Sequence, residues 1–373
     1  MKKSLIALAA LAATSAFAQS SVQIVGVFDP SIANQQITYG DNKSVTQQFV
    51  RNNTQGTSQI TFKGTEDLGG GLKASFLYEN DFDTRYDAYG AAGAAAAVTG
   101  APSGGVKIGP TNFGSNGGEQ FLNLEGGFGK IALGAPNTPT LFSQSANPFG
   151  TKIGGGFGLL NSGKVRNANT VMYSTPAMSG FTGHLAYSFK SVADSNVAAI
   201  TAVGDITDIG LFYANGPLAV MFTSYKVSAT SSSAGVALST EKTDNNLTGT
   251  YDLGVAKLGF GYFTQKQGSI APALKNVDKQ GMQFFATVPL SAQLNLLASY
   301  GNVDDKTTAA NQTAFNLDSK ITAIGLKYSF SKMTSVYARY VDQQTDNITA
   351  TTPNYGALAK KVQTTAIGMM TAF

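Results

Sequence analysis

The chain has 373 residues, and only 13% of them are Asp, Glu, Lys or Arg, about half the share found in an ordinary soluble protein. Cys and Trp are absent and there is one His, beside 42 Gly, 23 Phe and 15 Tyr; this excludes a disulfide framework, a Cys-rich zinc site, an iron–sulfur cluster and a thiol nucleophile. A formal net charge of +4 is too small for a nucleic-acid binder that works by counterion release, so no nucleic-acid partner is expected.

Residues 1–18 read as a secretory leader. Lys2 and Lys3 precede the apolar run Leu5 to Ala13, and Ala16-Phe17-Ala18 supplies small residues at a cleavage site. The run is too short for a membrane-spanning helix, which needs about 20 apolar residues. The expected organisation is a signal peptide over 1–18 and one mature domain over 19–373, exported from the cytoplasm.

Three longer stretches free of charge, Ala88 to Val106, Ile131 to Thr151 and Asn167 to Phe189, fail as spanning helices because each contains Pro and many small or polar residues. A period of two fits instead. Ile60 and Phe62 oppose Gln59, Thr61 and Lys63; Leu72, Ala74, Phe76 and Tyr78 mostly oppose polar residues; Phe181, Leu185, Tyr187 and Phe189 oppose Thr182, His184, Ser188 and Lys190. Later copies are Leu258, Phe260 and Tyr262, then Met282, Phe284, Ala286 and Val288, then Ile324, Leu326, Tyr328 and Phe330. Each is a strand with one greasy and one wet face.

The connections alternate in length. Asp67 to Gly71, Gly126 to Gly129, Asn215 to Pro217, Asp252 to Val255 and Ser331 to Thr334 read as tight turns. Between them lie long polar segments near 30–57, 83–118, 136–168, 226–244, 301–319 and 342–360. The reading is all-β: a transmembrane antiparallel barrel of about sixteen strands, wide enough for an aqueous channel. A closed sheet satisfies every backbone amide in lipid. A secreted β-sandwich or repeat protein is the soluble alternative.

Several segments resemble the trimeric porins of Gram-negative bacteria, in particular those of β-proteobacterial type. The resemblance runs over nearly the whole mature chain. It is carried by Phe62-Lys63-Gly64-Thr65-Glu66-Asp67-Leu68-Gly69-Gly70-Gly71, Leu133-Gly134, Asn137-Thr138-Pro139, Pro148-Phe149-Gly150, Tyr328-Ser329-Phe330-Ser331-Lys332-Met333 and the terminal Phe373. It implies a 16-stranded barrel assembled as a homotrimer, with a third external loop, about Pro136 to Asn169, folded into the pore. It also implies a second loop within Asp83 to Gly118 that latches a neighbour, and a terminal Phe373 read by the barrel-insertion machinery. Lipid and lipopolysaccharide of the outer membrane are the implied surroundings. Three positions where the family usually carries pore-wall arginines are here Gln59, Ala135 and Met172.

From Gly126 to Ala193 there is no acidic residue, while Lys130, Lys152, Lys164, Arg166 and Lys190 fall inside that span. Because charges beyond about 8 Å are screened at physiological salt, those at the narrowest point set ion preference. A mild anion preference is therefore expected, carried by Lys152, Lys164 and Arg166, with Lys63 contributing from the wall. Glu79 and Asp81 are expected at the extracellular mouth, where they offset this charge. Asp41, Asp304, Asp305 and Asp346 are loop acids able to hold divalent cations that bridge lipopolysaccharide phosphates.

Two motifs carry no chemistry. Gly158, Gly163 and Lys164 match part of a phosphate-binding loop, yet Val165 occupies the hydroxyl position and no helix follows. His184 is the sole imidazole, and Ser188 on the same strand lies about 13 Å away along the backbone, too far for a dyad, although a neighbouring strand could supply a partner. The Ala-rich run Ala91 to Val98 reads as part of the latch loop. No catalytic residue, metal site or cofactor is expected; the function expected is passive diffusion of ions and small hydrophilic solutes. The alternatives are a channel specific for one anion or nutrient, which needs lumenal rows of aromatics or arginines that the sequence does not display, and less favourably a barrel enzyme or adhesin.

Overall fold

The structure, a computed structural model, describes residues 21–84, 118–155, 166–189, 204–228, 239–269, 275–309, 318–346 and 359–373. The leader over 1–18, most of the latch loop with its Ala-rich run, Lys164 and the partial phosphate-loop motif lie outside these residues.

Nineteen hydrogen-bonded segments form one antiparallel sheet, and they make sixteen strands because three are interrupted. β1 runs over Ser21–Phe28 and Pro30–Tyr39, broken at Asp29. β2 runs over Ser44–Asn52 and Gln59–Gly69, with 53–58 inserted; its two parts pair with the two parts of β1. Then follow β3 Leu72–Asp81, β4 Gln120–Gly126, β5 Gly129–Ala135, β6 Thr170–Ser174, β7 Phe181–Ser188 and β8 Ile206–Asn215. Next come β9 Leu218–Val227, β10 Ser239–Asp252, β11 Lys257–Ser269 and β12 Lys275–Pro289. β13 joins Leu294–Asp305 to Thr308–Ala309, and β14 Ser319–Ser329, β15 Thr334–Thr345 and β16 Ala359–Ala372 complete the set.

β16 pairs with both parts of β1, which closes the barrel and removes its edges. At the seam the backbones of Gly26 and Phe373 exchange two hydrogen bonds of 3.0 and 3.1 Å. The expected turns fall where the sequence put them. Gly69, Gly70 and Gly71 all have positive φ, of 82, 61 and 81°, conformations a side chain would strain.

Period two explains the wall. Ile324 (51% exposed) and Leu326 (44%) point outward, while Ala323 and Arg339 are buried on the opposite face. A continuous outer surface of exposed Leu, Ile, Phe and Tyr is a membrane-facing band.

The long polar segment expected near 30–57 is not a loop. It is the upper part of β1, a tight turn and the upper part of β2, with outward Asn34 facing Gln48 and Gln36 facing Thr46. These strands carry polar groups on both faces above the apolar band, so hydrophobic alternation does not mark them. For the same reason β9 and β10 extend into 226–244, β13 into 301–319 and β15 into 342–360.

Candidate functional site

The inner wall is polar, and the third external loop lies on it. The loop leaves β5 and forms a short helix, α1, Pro139–Gln144. Thr138 caps it by accepting from the Leu141 N–H at 3.2 Å, and Pro139 fills the first turn, where no N–H is needed. The buried Asp208 carboxylate of β8 accepts from the Thr140 N–H at 2.9 Å and from its hydroxyl at 2.8 Å. Gly210, beside Asp208 on the inner face, lets the helix approach: a Cβ there would lie 2.8 Å from Pro139 Cβ.

Beyond α1 the loop is tied down strand by strand. Ser143 Oγ is 2.9 Å from Thr248 Oγ1 of β10. Asn147 Nδ2 donates to Gln283 Oε1 of β12 at 2.9 Å and to Ser299 Oγ of β13 at 2.8 Å. Phe149, 1% exposed, inserts among Leu297, Ile321, Ala323 and Val341, a burial worth about 2–3 kcal/mol. The loop then reaches the 53–58 insertion of β2, where Lys152 Nζ donates to Thr57 Oγ1 at 2.7 Å. Arg339 of β15 joins the two: its Nη1 donates to Thr54 O at 2.6 Å and to Ile153 O at 3.2 Å, and its Nη2 donates to Gln55 Oε1. Its guanidinium also lies over the Phe149 and Tyr337 rings, 5.0 and 5.4 Å from their centroids.

The insertion is organised by Asp29. Its carboxylate accepts from the N–H groups of Gln55 (2.5 Å) and Gly56 (2.8 Å) and from the Tyr337 hydroxyl. Asp29 is 0% exposed, Tyr337 3% and Arg339 2%. Together they hold a second inward projection against the tip of the loop.

The two ends of the loop meet where Asn137 and Arg166 form an isolated bridge. Arg166 is not a free cation. Its Nη2 lies 3.1 Å from Glu79 Oε1, its Nη1 3.7 Å from Asp81 Oδ2, and its Nε donates to Asn137 Oδ1 at 2.9 Å. Glu119 accepts from both the N–H and the side-chain amide of Asn137, at 2.9 and 3.0 Å, and its burial pushes its carboxyl above the usual range. Lys152 is half-buried, and desolvation pushes its ammonium below the usual lysine value despite Asp81 and Asp29 nearby.

The expected carriers of anion preference are thus redistributed. Arg166 is offset by Glu79 and Asp81, which sit beside it at the loop root. Lys152 is tucked against the β2 insertion, and Lys164 lies outside the described residues. Lys63 faces the lumen with Gln23 and Leu77 as register partners and no acid between them. Gln59 donates to Glu79 Oε2. Met172 faces inward but is covered, packed with Ala132 and Ala186. Ala135 does not reach the pore wall by register: it pairs with Gln120, itself opposite Tyr78 and then Phe62, a row on the outward side. Gly134, one residue earlier, holds a positive φ of 135°.

The loop acids able to hold cations are each paired with a lysine, as ordinary loop charges are: Asp41 with Lys43 (3.1 Å), Asp304 with Lys306 (3.1 Å), Asp305 with Lys279 (2.9 Å) and Asp346 with Lys320 (3.9 Å). No group of three potential metal ligands occurs among the described residues. His184 Nδ1 lies 2.9 Å from Ser174 Oγ of the neighbouring strand β6. Sequence reasoning missed Asp29, Asp208, Arg51, Lys327 and Arg339 on the inner face. Arg339 was discoverable, since Tyr337, Arg339 and Val341 share one parity of β15.

A closed barrel with an apolar outer band, a polar lumen and a loop fixed inside it is a transmembrane channel. The profile of the Gram-negative porin family matches residues 4–348, so the chain belongs to that family and is a porin of the outer membrane. An outer membrane porin of Bordetella pertussis is 28% identical over 91% of this chain and 93% of its own length. Outer membrane porin protein 32 of Delftia acidovorans is 30% identical over 90% of this chain and 88% of its own. Among solved structures, an anion-selective porin from Comamonas acidovorans superposes with a TM-score of 0.71 at 22% identity, covering 95% of this chain and all of that one.

Proposed function

We propose that this porin passes ions and small hydrophilic solutes passively, with a mild preference for anions set mainly by wall lysines that face no acid. The observation that carries this reading is the contrast between Arg166, ion-paired to Glu79 and Asp81, and Lys63, whose register partners are Gln23 and Leu77. Lys327, between Asn295 and Tyr337, extends the same pattern. By contrast Lys73 and Lys130 share their row with Asp67 and Glu125, which leaves it neutral. Lys152 and Lys164 add to the field from the loop. The anion selectivity named for the Comamonas acidovorans neighbour agrees in sign. Reversal potential across a planar bilayer in a salt gradient tests the reading; clear cation preference would overturn it.

Family membership supports the remaining parts of this proposal. The working form is a homotrimer with lipid and lipopolysaccharide around it; residues 1–18 are removed on export, and Phe373 serves as the signal for barrel insertion. The Ser174 and His184 pair is a wall contact and no reaction is catalysed. Incubation of purified channel with ester and peptide substrates is expected to give no turnover.

A further inference from the structure

The lumen contains an aromatic cluster that the sequence disperses over three segments. Phe142 of α1 stands edge-on to Phe212 of β8, with ring centroids 6.2 Å apart at 90°. The His184 ring lies 4.5 Å from Phe212 and 6.5 Å from Phe142. Phe212 and His184 occupy the parity opposite the exposed Leu211 and Leu185, which places them inside the barrel. Phe142 is 39% exposed on a loop that faces the aqueous lumen, an unfavourable position for an aromatic ring unless something covers it.

A cation completes the group. Lys130 and His184 are both register partners of Ser174, so their backbones are two strand spacings apart, about 10 Å. Lys130 Nζ lies 5.6 Å from the ring centroid of Phe121 on the adjoining strand β4. The charged groups in its row are Asp67, Lys73, Glu125 and Lys130, so the row as a whole is neutral and Lys130 is the cation at its end nearest the rings. On the far side Asp208 is occupied by Thr140.

The geometry points to a lumenal subsite for small aromatic carboxylates, in which Phe142, Phe212 and His184 take the ring and Lys130 the carboxylate. Rings tilted and edge-on to one another suit the offset or edge-on packing of a further ring. A lysine at the margin supplies a point charge without requiring bidentate geometry. Binding of this kind is weak and exposed to water, as a permeation site must be if solute is to leave. The subsite deepens the diffusion reading given above and rests on it.

Single-channel recording with benzoate, acetate and benzyl alcohol tests it, each added to chloride solution on either side. Benzoate is expected to reduce chloride current saturably in the millimolar range, with acetate and benzyl alcohol much weaker. Phe142→Ala and Lys130→Gln should each raise the half-blocking benzoate concentration, relative to that variant's own open current, by about tenfold, the loss of one modest contact; Lys130→Arg should retain block. Equal action of benzoate and acetate, or block unchanged in both variants, would overturn the subsite. Absence of any ohmic conductance would instead contradict the diffusion channel itself.

Discussion

Two groups of lumenal cations differ in what surrounds them. At the root of the inward loop, Arg166 is held by Glu79, Asp81 and Asn137, with Glu119 alongside. Elsewhere on the wall, Lys63 of β2 and Lys327 of β14 have only uncharged register partners. The same side-chain charge thus serves two ends: one fixes the loop and is cancelled, the other is left to act on permeant ions. A count of basic residues along the chain cannot separate the two, because the cancelling acids come from strands distant in sequence.

The comparison predicts unequal outcomes. The largest effect belongs to the loop anchor: Arg339→Ala leaves Thr54 O, Ile153 O and Gln55 Oε1 without their donor in a buried site, a cost of roughly 3 kcal/mol. Thermal unfolding of the detergent-solubilised protein should fall accordingly, and open-channel conductance should become larger and noisier as the loop tip loosens. An unchanged melting temperature would show that the loop is held elsewhere.

Selectivity should respond next. Glu79→Gln uncovers part of the Arg166 charge and should strengthen anion preference, whereas Arg166→Gln leaves Glu79 and Asp81 without their cation and should turn the channel toward cations. Lys63→Glu moves two charge units on an open wall; Coulomb energy in water near 1 kcal/mol per close pair, reduced by salt, gives a change of about threefold in the anion-to-cation permeability ratio. If Arg166→Gln and Glu79→Gln shift the reversal potential in the same direction, cancellation at the loop root is wrong.

The effect of pH is smaller and has a fixed sign. Burial holds the Glu119 carboxyl above its usual range, so it protonates at higher pH than a free glutamate, near 4.3. The folded state then binds that proton more tightly than the unfolded chain, and the charged carboxylate costs stability at neutral pH, a cost relieved as pH falls through the folded value. Loss of this negative charge leaves Arg166 and Lys130 less opposed. Anion preference should rise as pH is lowered from 7, and Glu119→Gln should flatten the early part of that rise.

At the low end stands the exposed pair Lys226 and Glu241, 2.7 Å apart with side chains about half exposed (51% and 45%). Lys226→Ala should change stability by no more than about 0.5 kcal/mol, with no measurable effect on selectivity.

How much of this was legible in the sequence varies with the physics. The outer band was, because alternating residues such as Ile324, Leu326 and Tyr328 meet lipid directly. The turns were too, since Gly69, Gly70 and Gly71 mark a backbone that other residues resist. The upper strands around Asn34 and Gln48 were not, because polar side chains on both faces carry no alternation. The lumen was least legible: Arg166 with Glu79, Arg339 with Thr54 and Ile153, and Phe142 with His184 and Phe212 meet only after the loop is laid on the wall. Parity places a residue inside the barrel, but its charge partner depends on that tertiary path.

The central claim is that cations without acid partners, Lys63 and Lys327, set the preference while those at the loop root are cancelled. The direct measurement is the reversal potential of the Lys63→Gln/Lys327→Gln channel beside wild type in the same potassium chloride gradient. Wild type should be anion-selective and the double variant should move close to zero. A double variant that keeps the full wild-type anion preference would contradict the account.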